Sequence, residues 1–278
     1  MRRRSATRIL AWMALLIVVT WSFGPIFIIV ASSFKLERNI FTYVPKLIFV
    51  PKLDNYSALI HDYPTYWASL RSSTITTFGA AILVVLLSFP AAYSYSRLRA
   101  KGLSLTALFL IAVRMFPPII ITIPLYPLCR RINLIDTPLI LILVYSTFQV
   151  SLSVWILKSF LDGVPKELEE AAWIDGCNRA QSFLRVLMPL IAPGIIASII
   201  FVCLFAWNDF VFAFLFTGTR AKTAPVLISE MLGSVGEGGV DWGTVFAAAT
   251  IQLVPILVFV WFIQKRLVKG LTIGAMKA

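Results

Sequence analysis

The sequence predicts an all-α integral membrane protein with six transmembrane helices. Three observations carry that expectation. Of 278 residues, 59% are hydrophobic, with a mean hydropathy of +0.87, whereas a soluble domain holds about 45–50% apolar residues. Only 14% are charged, too few to cover a soluble core. The apolar residues also gather into six runs, each near the ~20 residues a helix needs to cross the hydrocarbon of a bilayer.

The first run, residues 9–31, follows Arg2, Arg3 and Arg4. A secretory signal peptide has a similar flank, but its apolar run is about 7–15 residues and ends at an A-x-A site. This run is longer and no such site follows, so it reads as a retained helix. The outer loop, 32–73, carries Pro45, Pro51 and Pro64 with Tyr43, Tyr56 and Tyr63, and reads as ordered rather than as a linker. The second run is 74–96. The third, 105–128, is interrupted by Arg114, Pro117, Pro118, Pro124 and Pro127. Each proline removes a backbone donor whose loss lipid cannot make good, so this span is expected to kink and to face protein or a water-filled path. The remaining runs are 138–161, 190–216 and 244–263. Between the last two, GSVGEGGVDWG is a flexible, weakly acidic stretch suited to touching a partner. No internal repeat or low-complexity segment is present. The chain divides into an N-terminal part, 1–69, with the first span and outer loop, and a main transmembrane domain, 70–278, ending in a cytoplasmic tail.

The net charge is +12. In a soluble protein that would suggest nucleic acid; here the basic residues cluster beside apolar runs, so topology explains them better and no nucleic acid is expected. With the N-terminus in the cytoplasm, fifteen Lys and Arg residues fall on inner segments and nine on outer ones, with Arg114 within the membrane. The bias places both termini in the cytoplasm and puts 162–188 inside. Other chemistry is excluded by composition. The three cysteines lack metal-ligand spacing and there is one histidine, His61, so no metal site is expected. Gly-Lys occurs nowhere, so the chain has no phosphate-cradling loop and is expected to bind no cofactor of its own.

The polar stretch 165–193, PKELEEAAWIDGCNRAQSFLRVLMPLIAP, lies between the fourth and fifth runs. Pro165 suits the first turn of a helix. Glu167, Glu169 and Glu170 follow within two turns, where the helix dipole favours acids. Leu168, Ala171, Ala172 and Asp175 fall on one stripe. Gly176 sits where a helix ends in a left-handed residue, and Asn178 is placed to cap a second short helix ending before Pro189. The expected result is two short helices joined by a glycine turn, a knob on the inner membrane surface with Trp173 and Ile174 as apolar contacts. The plainer reading is an ordinary amphipathic interfacial helix.

Glu170-Ala171-Ala172, three residues, Gly176, nine residues and Val186-Leu187-Met188-Pro189 resemble the EAA loop of binding-protein-dependent ABC importer permeases. That family's pattern is E-A-A, three residues, G, nine residues, I-x-L-P. Val186 replaces the Ile and Met188 the Leu. Further stretches resemble the carbohydrate branch, similar to the G-type permease of the maltose importer: FPAAYSYSRLRAKG, MFPPIIITIPLY, FAWNDFVFAFLFT and the terminal KRLVKGLTIGAMKA. The resemblance covers most of 70–278. It implies a type I ABC importer permease in the bacterial inner membrane. It also implies partners: a second homologous permease, two ATPase subunits that use ATP and Mg, and an external solute-binding protein. The chain would not be an enzyme. Glu170, Ala171, Ala172, Trp173, Ile174, Asp175, Gly176 and Pro189 would form the ATPase-coupling site, and ATP-driven uptake of a sugar, polyol or sugar derivative would follow.

Five polar residues fall within or near the spans: Arg114, Gln149, Asn208, Asp209 and Gln252. Arg114 lies roughly 13 Å from the inner end of its span at 1.5 Å per residue, and an intramembrane charge is a functional hypothesis by default. Together the five are candidates to line a translocation path for a hydroxyl-rich solute. The structural alternatives stand beside that: Arg114 pairing with an acid or with carbonyls freed by Pro117 and Pro118, Gln149 and Gln252 bonding between helices, and Asp209 capping or pairing near the outer boundary. Competing functions are an ion-coupled secondary transporter, which leaves a docking loop unexplained, and an intramembrane enzyme, for which no H-E-x-x-H, Ser/His or paired-Asp arrangement exists. Within the importer family, a permease for a glycerol phosphate ester or other non-sugar solute is the nearer alternative.

Overall fold

The computed structural model describes residues 2–44, 46, 48–98, 102–233 and 239–275. Pro45, Arg99, Lys101, residues 234–238 of the glycine-rich outer stretch and the last three residues of the C-terminal tail lie outside them. The described chain is helical: α1 Arg2–Ser33, α2 Asp54–Asp62, α3 Tyr66–Arg97, α4 Leu103–Met115, α5 Pro118–Arg131, α6 Pro138–Asp162, α7 Glu167–Ile174, α8 Arg179–Leu190, α9 Ala192–Asn208, α10 Val211–Phe216, α11 Ala224–Gly233 and α12 Trp242–Ala275. Four of these contain an unbroken apolar stretch long enough to cross a membrane: Leu10–Ser33, Tyr66–Arg97, Pro138–Asp162 and Trp242–Trp261.

The third and fifth sequence runs are broken. In the third, α4 and α5 meet at 92°. Phe116 and Pro117 are extended there, and Pro118 opens α5, because a residue before proline is pushed out of the helical region. The kink expected from the prolines is thus a complete break. The fifth run does not continue as one helix to 216. It ends at Asn208, and Asp209 is extended before the short α10. Asp209 Oδ2, one residue before the N-cap Phe210, accepts the N–H of Ala213 at 3.1 Å, so a new helix start stands where the sequence suggested an uninterrupted span. At its other end α9 is bent 75° from α8, with Pro193 in its first turn.

The chain forms two compact units. The first holds Met1–Trp67 and Leu227–Pro255. Here α1 leaves its apolar length exposed, and described residues of the 32–73 loop are tied by side-chain contacts. Asn55 Nδ2 donates to the carbonyls of Ser33 and Lys35, both at 2.8 Å. Ser33 and Tyr56 hydroxyls pair at 2.8 Å, and Lys35 lies over the Phe49 ring at 5.1 Å. The Tyr66 hydroxyl donates to the Ala248 carbonyl at 2.6 Å.

The second unit holds Ala68–Val226 and Ile256–Ala278. Its core has two layers. One joins Val84, Leu141, Tyr145, Val202 and Phe216; the other joins Phe89, Leu157, Leu161, Leu187 and Ile191. Glycine permits the closest crossings, as expected where membrane helices pack through small residues. A Cβ on Gly194 of α9 would lie 2.6 Å from Cγ of Phe160 on α6.

Candidate functional site

The coupling segment folds as two short helices around a left-handed glycine. α7 begins at Glu167, not at Pro165, with Lys166 preceding it. It ends in paired main-chain bonds: Cys177 N–H donates to the Ala172 carbonyl at 2.9 Å and Gly176 N–H to that of Trp173 at 3.1 Å. Gly176 takes φ +88°. This is the Schellman arrangement, which places a left-handed residue at C′. Asn178 then opens α8 with a reciprocal cap. Its side chain accepts the Gln181 N–H at 2.8 Å, and Gln181 Oε1 accepts the Asn178 N–H at 3.0 Å.

Two details differ from the sequence reading. The second helix does not stop before Pro189 but runs through it to Leu190. A π-helical stretch, Ser182–Leu187, immediately precedes it, and its wider turn accommodates the carbonyl that a proline leaves unpaired. The close-packing role expected of Ala171 and Ala172 on the stripe Leu168, Ala171, Ala172, Asp175 falls to Ala172 alone. Of the four only Ala172 is buried, and Glu169 is buried beside it. Glu170, Ala171, Trp173, Asp175 and Gly176 are exposed, as is Pro189 on α8, and Ile174 is 87% exposed. The Arg179 guanidinium lies 5.0 Å from the Trp173 ring centroid and holds that indole on the outside of the knob.

The knob is anchored by residues that the sequence reading missed. The Arg97 Nε pairs with Glu169 Oε1, with side chains only 8% and 4% exposed. Arg97 Nη2 donates to the Val164 carbonyl at 2.9 Å, and the Tyr93 hydroxyl donates to Glu169 Oε2 at 3.1 Å. Phe183 of α8 stacks on Phe89 at 4.1 Å. The run Glu167, Glu169, Glu170 offered three acids, and only helix phase selects which one turns inward. A basic residue at the inner end of a span reads first as topology, which hid Arg97.

The polar residues of the spans separate. Arg114, in the last turn of α4, is exposed and makes no hydrogen bond or ion pair among the described residues. Gln149 is 3% exposed, and its Oε1 has no partner among them. Asn208 is exposed and donates to the Leu204 carbonyl at 2.8 Å. Asp209 is tied to α6 by the Tyr145 hydroxyl at 3.0 Å, and Tyr145 lies one helical turn from Gln149. Gln252 is half-buried on α12, in the first unit.

A second missed carboxylate, Asp136, sits between α5 and α6 in left-handed backbone at φ +60°. It accepts the consecutive N–H groups of Gly218, Thr219, Arg220 and Ala221 at 2.8–3.1 Å. Burial pushes its carboxyl up, but the four backbone donors outweigh that and hold it down at about 2.

Residues 85–273 match the family model described as "Binding-protein-dependent transport system inner membrane component". The chain is 33% identical over 282 residues to the trehalose/maltose transport system permease protein of Thermococcus litoralis, covering 100% of this chain and 99% of that one. It is 37% identical over 225 residues to the trehalose transport system permease protein of Mycobacterium tuberculosis, 81% of each. With the sulfoquinovosyl glycerol transport system permease protein of Agrobacterium fabrum it shares 33% over 252 residues, 90% of this chain and 87% of that one. The crystal structure of a bacterial ABC transporter involved in the import of the acidic polysaccharide alginate superposes with a TM-score of 0.80 at 18% identity, over 95% of this chain and 98% of its own, which shows the shared fold. This chain belongs to the family of binding-protein-dependent transport system inner membrane components.

Proposed function

We propose that this ABC permease subunit forms half of the import path for a sugar or sugar derivative and takes its drive through the 165–193 knob. A multi-pass inner membrane protein of this family is a transport subunit, and ATP hydrolysis belongs to separate ATPase subunits. The observation that supports the carbohydrate class best is the end-to-end similarity to a trehalose/maltose permease at 33% identity. Trehalose and maltose are therefore the first solutes to test.

The coupling reading rests on the knob's exposed face. Glu170, Ala171, Trp173, Ile174 and Asp175 project two acids, an indole and a bare aliphatic side chain from a rigid helix end set by Gly176. Such a face fits a cleft on a partner, here the ATPase, which would use ATP and Mg. A second homologous permease and an external solute-binding protein complete the assembly. Both termini lie in the cytoplasm on this reading, supported by the fifteen-to-nine distribution of basic residues. Arg114, Gln149, Asn208, Asp209 and Gln252 remain the candidates for the path, with the Tyr145 bond giving Asp209 a positioning role as well.

The test is reconstitution of the chain with its genomic partner subunits in proteoliposomes. ATP-dependent uptake of labelled trehalose or maltose supports the carbohydrate class; uptake driven by an ion gradient without ATP overturns the reading. A cytoplasm-only reporter fused after Ala278 should be active, and activity of an export-only reporter there would reverse the orientation.

A further inference from the structure

We propose that Phe89, Tyr93 and Arg97 form a transmission stripe on α3, with Arg97 and Glu169 as its key positioning residues, that carries movement of the coupling knob into the membrane bundle. The proposal rests on the reading of the knob as the ATPase-docking element.

The three residues are spaced i, i+4 and i+8, one face of a single helix. They hold both helices of the knob. Phe89 stacks on Phe183 of α8 at 4.1 Å, and Tyr93 meets the same ring edge-on at 5.2 Å. Tyr93 and Arg97 together engage both carboxylate oxygens of Glu169 on α7. Arg97 also donates to the Val164 carbonyl, in the link between α6 and α7. One guanidinium thus fixes the helix and the chain entering it.

By contrast, both covalent routes from knob to bundle are bends. Residues 163–166 separate α6 from α7, and Ile191 marks the 75° turn between α8 and α9. A bend absorbs displacement by rotating about a few dihedrals. A buried, doubly bonded ion pair and a stacked ring do not, because their geometry fails within about an ångström of movement. Force applied to the knob therefore reaches α3 through directional contacts, beside the apolar packing of Leu187 against α6. The tether and the docking face also use different residues: Glu169 and Phe183 turn inward, while Trp173 and Ile174 face out. Docking and transmission are separable by mutation.

The experiment uses the assembled transporter in nanodiscs, in a Cys177→Ser background since Cys129 and Cys203 are buried. An environment-sensitive fluorophore on Leu86→Cys, exposed on α3, reports the response of that helix to ATP, Mg and vanadate. The variant Arg97→Gln/Glu169→Gln removes both charges together and leaves neither unpaired. Its expected result is wild-type ATPase co-purification with loss of the nucleotide-induced spectral shift. Tyr93→Phe, which keeps the ring contact, should reduce the shift without abolishing it. A full shift in the double variant overturns the proposal. So does failure of the double variant to assemble, which makes the pair a folding element, and so does absence of any shift in the wild type. Ile174→Asp, run in parallel, tests docking itself: retention of the ATPase in that variant refutes the knob's docking role while leaving the α3 result to be read independently.

Discussion

The Tyr145 hydroxyl, on a fully buried side chain of α6, donates to Asp209 at 3.0 Å across the break that follows α9. The same carboxylate oxygen accepts the Ala213 N–H in the first turn of α10. One oxygen thus fixes the position of a helix start relative to a neighbouring span. Tyr145→Phe removes one donor and keeps the packing against Phe205 and Phe212. It should cost about 0.5–1.5 kcal/mol, read as a lower melting temperature of the purified complex with the fold intact.

Gly176→Val tests the knob. No atom crowds the site, so space is not the difficulty. The difficulty is φ +88°, where a side chain costs roughly 1–2 kcal/mol and a β-branched one more. The spans should still insert, because bilayer burial and their own backbone bonds sustain them. ATPase co-purification should fall several-fold. Wild-type co-purification would remove the left-handed turn from the docking argument.

Gly194→Ala should destabilise the crossing of α9 and α6. The added carbon meets Phe160 at Cγ, Cδ2 and Cβ, all within 3.0 Å, and these are the root of the ring, not its mobile edge. Overpacking of this kind costs about 1–3 kcal/mol. Thermal unfolding in detergent measures it, and Phe160→Leu in the same chain should recover part of the loss.

Arg114→Ala should reduce uptake more than it reduces assembly, since the side chain ties no described element to another. Matched measurements of complex yield and transport rate decide it. Loss of assembly would make Arg114 a contact to a partner subunit, and normal uptake would remove it from the path.

The Asp136 anchor should weaken only in strong acid. Its folded carboxyl titrates at about 2, below the ~3.9 of an unfolded aspartate. The anchor therefore contributes its full stability above about pH 4 and loses it as pH falls through about 2. Protection of the amides of residues 218–221, taken relative to their intrinsic exchange rates, should hold from neutral pH to about 4 and fall below. Asp136→Asn should exchange faster at neutral pH and lose that pH dependence.

Much of this was legible in the sequence because membrane burial writes long signals. The unbroken spans, the glycine turn at 176 and the capping Asn178 each follow from a local rule. What escaped depends on how helices face one another. The sequence marked Glu170 through its motif, yet Glu169, one residue earlier, makes the buried contact; a rotation of 100° about α7 separates the two roles. Asp136 finds its donors more than eighty residues downstream, and all but the Thr219 hydroxyl are main-chain groups that leave no trace in side-chain identity. The fifth run breaks at Asp209, which is extended and whose carboxylate bonds the first turn of α10, a choice that hydropathy does not register.

That last kind of contact has an evolutionary consequence. The Asp136 anchor reads mainly backbone in the loop it holds: Gly218, Thr219, Arg220 and Ala221 each contribute an N–H group, and only Thr219 adds its side-chain hydroxyl, at 3.4 Å. The exposed Gly218 and Arg220 are consequently free to drift, provided neither becomes proline, whereas fully buried Ala221 is not. The exposed surface there can be rewritten at those positions without touching the anchor, because the aspartate beneath holds them by their backbone alone.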